Sequence, residues 1–174
     1  MIELQQWDAG AAQSAIADLA EMLHASVAHG ASIGFVMPFT LTQAQAFWQG
    51  LLPAIARGER AMLVALANGR PVGTVQLLLA MPDNGRHRAE VVKLMVHPQA
   101  RRQGVARLLM QEVQALAARH CRSLLVLDTL SGSAAQGCTV NWGSRRRATS
   151  RNTPAPATAG RWRPPAICTN CCEA

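Results

Sequence analysis

Residues 92–107, Val-Lys-Leu-Met-Val-His-Pro-Gln-Ala-Arg-Arg-Gln-Gly-Val-Ala-Arg, constrain the chain more than any other stretch. A strand-length apolar run stops at His97-Pro98. Two arginines and one glycine make the connection, and an amphipathic helix opens at once. Over residues 102–120, Val105, Leu108, Leu109, Val113 and Leu116 form one apolar stripe at helical spacing. The continuous apolar run at 123–127 suits a buried strand. A strand, a tight connection, a helix and another strand call for a layered α/β or α+β domain.

The rest of the first 130 residues agrees. Met1–Trp7 alternates apolar and polar residues and reads as a short strand. Residues 11–28 carry Ile16, Leu19, Ala20 and Leu23 at helical spacing, with Ser14 or Asp8 as the cap and Gly30 as the stop. A second helix spans Thr42–Arg57, closed by Gly58. Met62–Ala67 and Pro71–Met81 read as a hairpin about Asn68-Gly69, and Ala89–Val96 as a third strand. The order is β-α-α-β-β-β-α-β, with no internal repeat.

Composition matters because it is divided. The chain has 174 residues, 49% of them hydrophobic, which suffices for one domain with its own core. Its net charge is +7, yet residues 1–130 hold 11 basic and 9 acidic side chains, and residues 131–174 hold six arginines against Glu173. From the set Ile, Leu, Val, Met and Phe, that last segment contains only Val140 and Ile167. No helical or strand period can be built from two residues, so one folded domain at 1–137 and an irregular, disordered basic tail at 138–174 are expected. No run reaches the roughly 18–20 apolar residues of a membrane span. The first residues do not resemble a signal peptide, and a cytoplasmic protein is expected.

Residues 92–107 also point to chemistry. The first turn of a helix exposes unpaired N–H groups and the positive end of the helix dipole. Gly104 and Ala106 allow close approach to the backbone, while Arg101, Arg102 and Arg107 add charge. A diphosphate suits such a site. It lacks the Gly-Lys-Ser/Thr ending of a phosphate-binding loop and the three glycines of a dinucleotide fingerprint. On spacing alone the arginines read equally well as solvated surface charges.

Arg101-x-x-Gly104-x-Ala106, after a strand ending in Leu94-Met95-Val96, resembles the acetyl-CoA signature of the GNAT acyltransferases. Residues 29–35 and 88–96 resemble the tabtoxin-resistance branch of that family, which acetylates the amino group of a small β-lactam toxin. The resemblance implies a mixed, mostly antiparallel sheet flanked by helices, acetyl-CoA as cosubstrate, and a small-molecule amine as acceptor. It places cofactor contacts on Leu94, Met95, Val96, Arg102, Gln103, Gly104, Val105, Ala106 and Arg107.

Acetyl transfer to an amine needs a base for the ammonium, donors for the oxyanion and an acid for the departing thiolate. Asp128, matching an aspartate that faces substrate in the resembling enzymes, is one base candidate. Glu90, acting through water, is the second, and either residue also reads as a plain structural carboxylate. His97 is a weaker candidate. No metal site is expected, since His24, His29, His87 and His120 lack partners at metal spacing.

The resemblance implies a tyrosine as the acid, on a helix after the last strand, at position 139. Thr139 stands there, and the chain contains no tyrosine. Cys138–Gly143 requires the codons TGY ACN GTN AAY TGG GGN. One base back they read NTG YAC NGT NAA YTG GGG, which permits Leu-Tyr-Arg-Lys-Leu-Gly with tyrosine at 139. Residues from about 138 therefore read as a frameshift product, which would remove the last helix and strands and leave a sheet edge exposed.

Three other readings compete. A truncated remnant would bind CoA without efficient turnover. A nucleic-acid-binding module would use Arg145, Arg146, Arg147, Arg151, Arg161 and Arg163, with Trp142 and Trp162 for stacking. Cys168-x-x-Cys171-Cys172 has zinc-like spacing without a second ligand pair.

Overall fold

The strand Arg60–Ala67 buries both of its faces. Met62, Val64 and Leu66 pack into one apolar cluster, and Ala61, Leu63 and Ala65 into another. Side chains alternate across a strand, so a strand apolar on both sides must lie between two layers. The computed structural model describes residues 1–130, 145–149 and 157–162 and shows those layers. Its elements are β1 (Ile2–Trp7), α1 (Ala9–Ser14), α2 (Ile16–Ala28), α3 (Leu41–Ala56), β2 (Arg60–Ala67), β3 (Arg70–Leu78), β4 (Arg88–Val96), α4 (Val105–Arg119), β5 (Leu124–Leu130), β6 (Arg145–Thr149) and β7 (Ala157–Trp162). The strands form one sheet in the order β1-β2-β3-β4-β5-β7-β6. All neighbours are antiparallel except β4 and β5, which the helix α4 joins in parallel.

One face of the sheet packs against α4 through Val105, Leu109, Val113 and Leu116. The other packs against α2 and α3 through Leu19, Leu23 and Trp48. Trp48 is buried and donates its indole N–H to the Leu19 carbonyl at 2.9 Å, which ties α3 to α2. Gly73 lets α4 lie close on β3: a Cβ there would stand 2.9 Å from Val105 Cγ1 and 3.2 Å from the Met95 carbonyl.

The structure differs from the sequence reading at several boundaries. The helix expected over 11–28 is two helices, broken at Ala15, whose φ of −111° is not helical. Asp8, not Ser14, caps the first, accepting from the Ala11 N–H at 2.8 Å. The Ser14 hydroxyl instead donates to the Gly10 carbonyl. A capping box between Thr40 and Gln43 starts α3 at Leu41. The helix expected from Arg102 begins at Val105, because Arg102 and Gly104 take left-handed φ values of 63° and 82°.

The basic tail was expected to be irregular, with the sheet ending at β5. Two of its segments run as strands instead: Ala157–Trp162 pairs with Leu125–Leu130, and Arg145–Thr149 pairs with β7. The edge of β5 is therefore covered by backbone pairing. The rest of the tail lies outside the described residues.

Candidate active site

β4 and β5 are registered at Arg88↔Leu124, Ala89↔Leu125 and Glu90↔Val126, and their pairing stops there. Beyond that point a bulge bends β4. Between the pairs Gln76↔Val92 and Thr74↔Met95 it holds one more residue than β3, and Lys93 there has a left-handed φ of 54°. An extra residue on one strand increases local twist and turns the strand from its neighbour. The edge of β4 from Val91 onward consequently has no strand partner on its β5 side among the described residues.

The strand ends at the start of α4. Arg101 Nε donates to the Val96 carbonyl at 3.2 Å, folding the connection back onto β4. Leu108 N–H bonds the Gly104 carbonyl, and no side chain caps the helix. The N–H groups of Val105, Ala106 and Arg107 meet no backbone acceptor among the described residues. A Cβ placed on Gly104 would meet nothing within 4 Å, so the space before these donors is open. Arg102 and Arg107 are exposed beside it. Aligned donors, open approach and two cations suit a diphosphate.

A cavity of about 420 Å³ lies beside the bulge, walled in part by Ile33, Phe47, Arg60, Glu90, Lys93 and Asp128. Sheet register explains how these residues meet. Arg60 is opposite Leu78, Leu78 opposite Glu90, and Glu90 opposite Val126. Directly opposed residues share a face, so this row crosses four strands on one side of the sheet. Asp128, two residues past Val126, projects to that side as well. Leu125 and Leu127 take the alternate phase and join the α4 cluster.

The cavity is charged but unneutralised. Among the described residues, Arg60, Lys93, Glu90 and Asp128 form no ion pair within 4.0 Å. Lys93 donates its ammonium to the Ile33 carbonyl and lies 4.7 Å from the Phe35 ring centroid and 5.4 Å from that of Phe47. Burial, and then the positive charge of Arg60, push its pKa down. Burial also lowers that of Arg60, opposed by the charge of Glu90. Arg60 Nη1 donates to Gln76 Oε1, while Arg60 Nε is buried without a partner.

The model of the acetyltransferase (GNAT) family matches residues 31–138, more than half of the chain. The chain belongs to the GNAT family. Solved structures agree at the level of fold. The yncA protein of Salmonella typhimurium, solved with its cofactor acetyl-CoA, is 18% identical with a TM-score of 0.71, over 97% of this chain and 99% of that one. A ribosomal-protein-alanine N-acetyltransferase of Brucella melitensis is 18% identical with a TM-score of 0.73, over 92% and 99% of the two chains. The PaiA N-acetyltransferase of Thermoplasma acidophilum, in complex with coenzyme A, is 13% identical with a TM-score of 0.65, over 93% and 99%.

Within this GNAT domain the residues expected to hold cofactor fall into two groups. Leu94, Met95 and Val96 lie on the stretch of β4 that lacks a partner on its β5 side, and Arg102, Gln103, Gly104, Val105, Ala106 and Arg107 on the turn and first helical residues. Met95 and Val105 are buried in the two clusters, so only their backbone is available to a ligand. Gln103 Nε2 donates to the Gln99 carbonyl. Glu90 and Asp128 line one cavity. His97 lies outside that lining; its Nδ1 accepts from the Gln99 N–H. Arg60 and Ile33 were missed, and Lys93 went unused as a site residue although it is the single lysine beside 16 arginines. Thr139 and the tail cysteines lie outside the described residues. No described helix is long and apolar enough to cross a membrane.

Proposed function

We propose that this chain is an N-acetyltransferase that moves an acetyl group from acetyl-CoA directly to the amine of a small, amino-acid-like or toxin-like molecule. The observation that carries the reading is continuity. The open edge of β4 begins beside Glu90, in the cavity that Asp128 also lines, and runs to the uncapped start of α4. The backbone donors of Val105–Arg107, with Arg102 and Arg107, would hold the cofactor's diphosphate. The edge of β4 at Leu94–Val96 would pair with its extended arm.

Acetyl-CoA supplies an activated acetyl thioester when bound. The chain's own residues supply the base and the oxyanion donors, and the departing CoA thiolate takes up the proton released from the attacking amine. Asp128, exposed on β5 at the cavity wall, accepts the proton of the acceptor ammonium. Glu90, half-buried on β4, does so through water or orients the ammonium. The bulged edge of β4 presents backbone polar groups without strand partners, where donors for developing negative charge are needed. Only an amine brought next to the thioester in this geometry reacts, so no covalent enzyme intermediate is required. A cytoplasmic setting belongs to the same reading, since exposed Cys121 is a free thiol.

A second reading rests on the absence of tyrosine from the sequence. In it the gene is frameshifted from about codon 138, and the chain is a relative of the tabtoxin-resistance enzymes that binds CoA and turns over poorly. Calorimetry with acetyl-CoA, followed by thiol release with a panel of small amines, tests both readings on this chain and on a frame-restored chain. Binding with turnover in both supports an active enzyme. Binding with turnover only after restoration supports the remnant. Failure of both to bind acetyl-CoA overturns the cofactor site. Sequencing codons 130–145 decides the frame, and an intact frame removes the frameshift.

A further inference from the structure

Lys93 and Arg60 are two cations facing one cavity, and no carboxylate lies within 4.0 Å of either among the described residues. Each has hydrogen-bonding capacity to spare. The Lys93 ammonium has three N–H donors and uses one, on the Ile33 carbonyl. Arg60 Nε is buried with no acceptor, and so is Gln76 Nε2 behind it. A buried donor left unpaired loses its hydration without replacement, so such groups usually have a partner in the working state.

Glu90 and Asp128 supply the opposite charge. From Arg60 to Glu90 is two strand spacings, about 9.6 Å between backbones. The bulge adds Lys93 to the cationic side, and its strained backbone holds the side chain against Phe35 and Phe47. One small cavity thus holds two cations and two carboxylates that form no ion pair within 4.0 Å among the described residues. A molecule carrying a carboxylate and an ammonium complements both.

We propose that Lys93 and Arg60 form a subsite for the carboxylate of the acceptor, so that the acceptor is an amino acid or a close analogue bound as a zwitterion. This rests on the acetyltransferase reading given above and assigns the acceptor end of that site. In this geometry the acceptor's carboxylate lies toward Lys93 and Arg60, and its ammonium faces Glu90 and Asp128. The cation–π contacts of Lys93 keep the ammonium from swinging out to solvent.

The single lysine makes the test specific. Reductive ¹³C-methylation keeps the charge and labels one side chain, Lys93, besides the chain's amino terminus. Common L-amino acids and their C-terminal amides are titrated as matched pairs in the presence of CoA. At least one free acid should move the Lys93 resonance, with its amide at least tenfold weaker, and Arg60→Gln should reduce that preference. In thiol-release assays Lys93→Gln should raise KM for the acid at least tenfold more than for the amide, and Lys93→Arg should restore it. A merely structural Lys93 would change KM for both members of a pair alike, and that result overturns the subsite. Equal response to acids and amides, or no response to any acid, overturns it too. Calorimetry with acetyl-CoA is read separately: no cofactor binding defeats the acetyltransferase reading, whereas binding with no acid preference defeats only the subsite.

Discussion

Glu90 stands opposite Val126, and at that pair the parallel contact between β4 and β5 ends. The two carboxylates of the cavity sit at this point and just past it. Glu90 is on the last paired residue of β4, and Asp128 is two residues beyond the last pair of β5.

Their positions predict unequal effects. Asp128→Asn should lower kcat by roughly 10²–10⁴-fold, the usual contribution of a positioned base, and leave acetyl-CoA binding unchanged. Glu90→Gln should cost less, because its role runs through water. Steady-state thiol release paired with calorimetry separates the steps; a larger loss at Glu90 would reverse the assignment.

The start of α4 predicts a salt-dependent cofactor affinity. Substituting Arg102 and Arg107 together with glutamine should weaken acetyl-CoA binding and flatten its dependence on ionic strength, since exposed charges are screened. Gly104→Ala should weaken it as well. Its φ of +82° disfavours any side chain by about 1 kcal/mol although the space is open. Fluorescence titrations at two salt concentrations measure both.

Gly73→Ala tests packing apart from chemistry. The added methyl would come within 2.9 Å of Val105 Cγ1, and the Met95 carbonyl at 3.2 Å leaves little room to retreat. The expected loss is about 1–3 kcal/mol of stability, read as a lower denaturant midpoint with unchanged slope. An unaffected midpoint would mean that α4 can shift on the sheet.

His120 predicts an acid-side loss of stability. Burial, then the charges of Arg122 and Arg119, hold its pKa below 6.5 in the folded chain. The unfolded chain then binds the proton more tightly, so this contribution is intact above pH 6.5. It is lost as pH falls from 6.5 through the folded value. His120→Gln should flatten that part of the stability–pH profile, measured by urea unfolding at a series of pH values.

Much of the fold was legible because local chemistry repeats along the chain. The apolar runs of β2 and β3, the Asn68-Gly69 turn and the stripe on α4 follow from short-range geometry. Tertiary packing decided the ends. Val105, not Arg102, starts α4, since Arg102 and Gly104 take left-handed φ values. The break at Ala15 had no signal in an alanine-rich run.

The proposed cofactor side draws on one strand, one turn and one helix in succession, so its residues could be proposed from 92–107 alone. The acceptor side draws Arg60, Lys93, Glu90 and Asp128 from three strands. Their meeting depends on strand order, on register and on one bulge in β4. A sequence records which side chains a strand carries, but the face they share with other strands is set by long-range pairing. Only the assembled sheet therefore turned a single lysine among arginines into a wall of the cavity.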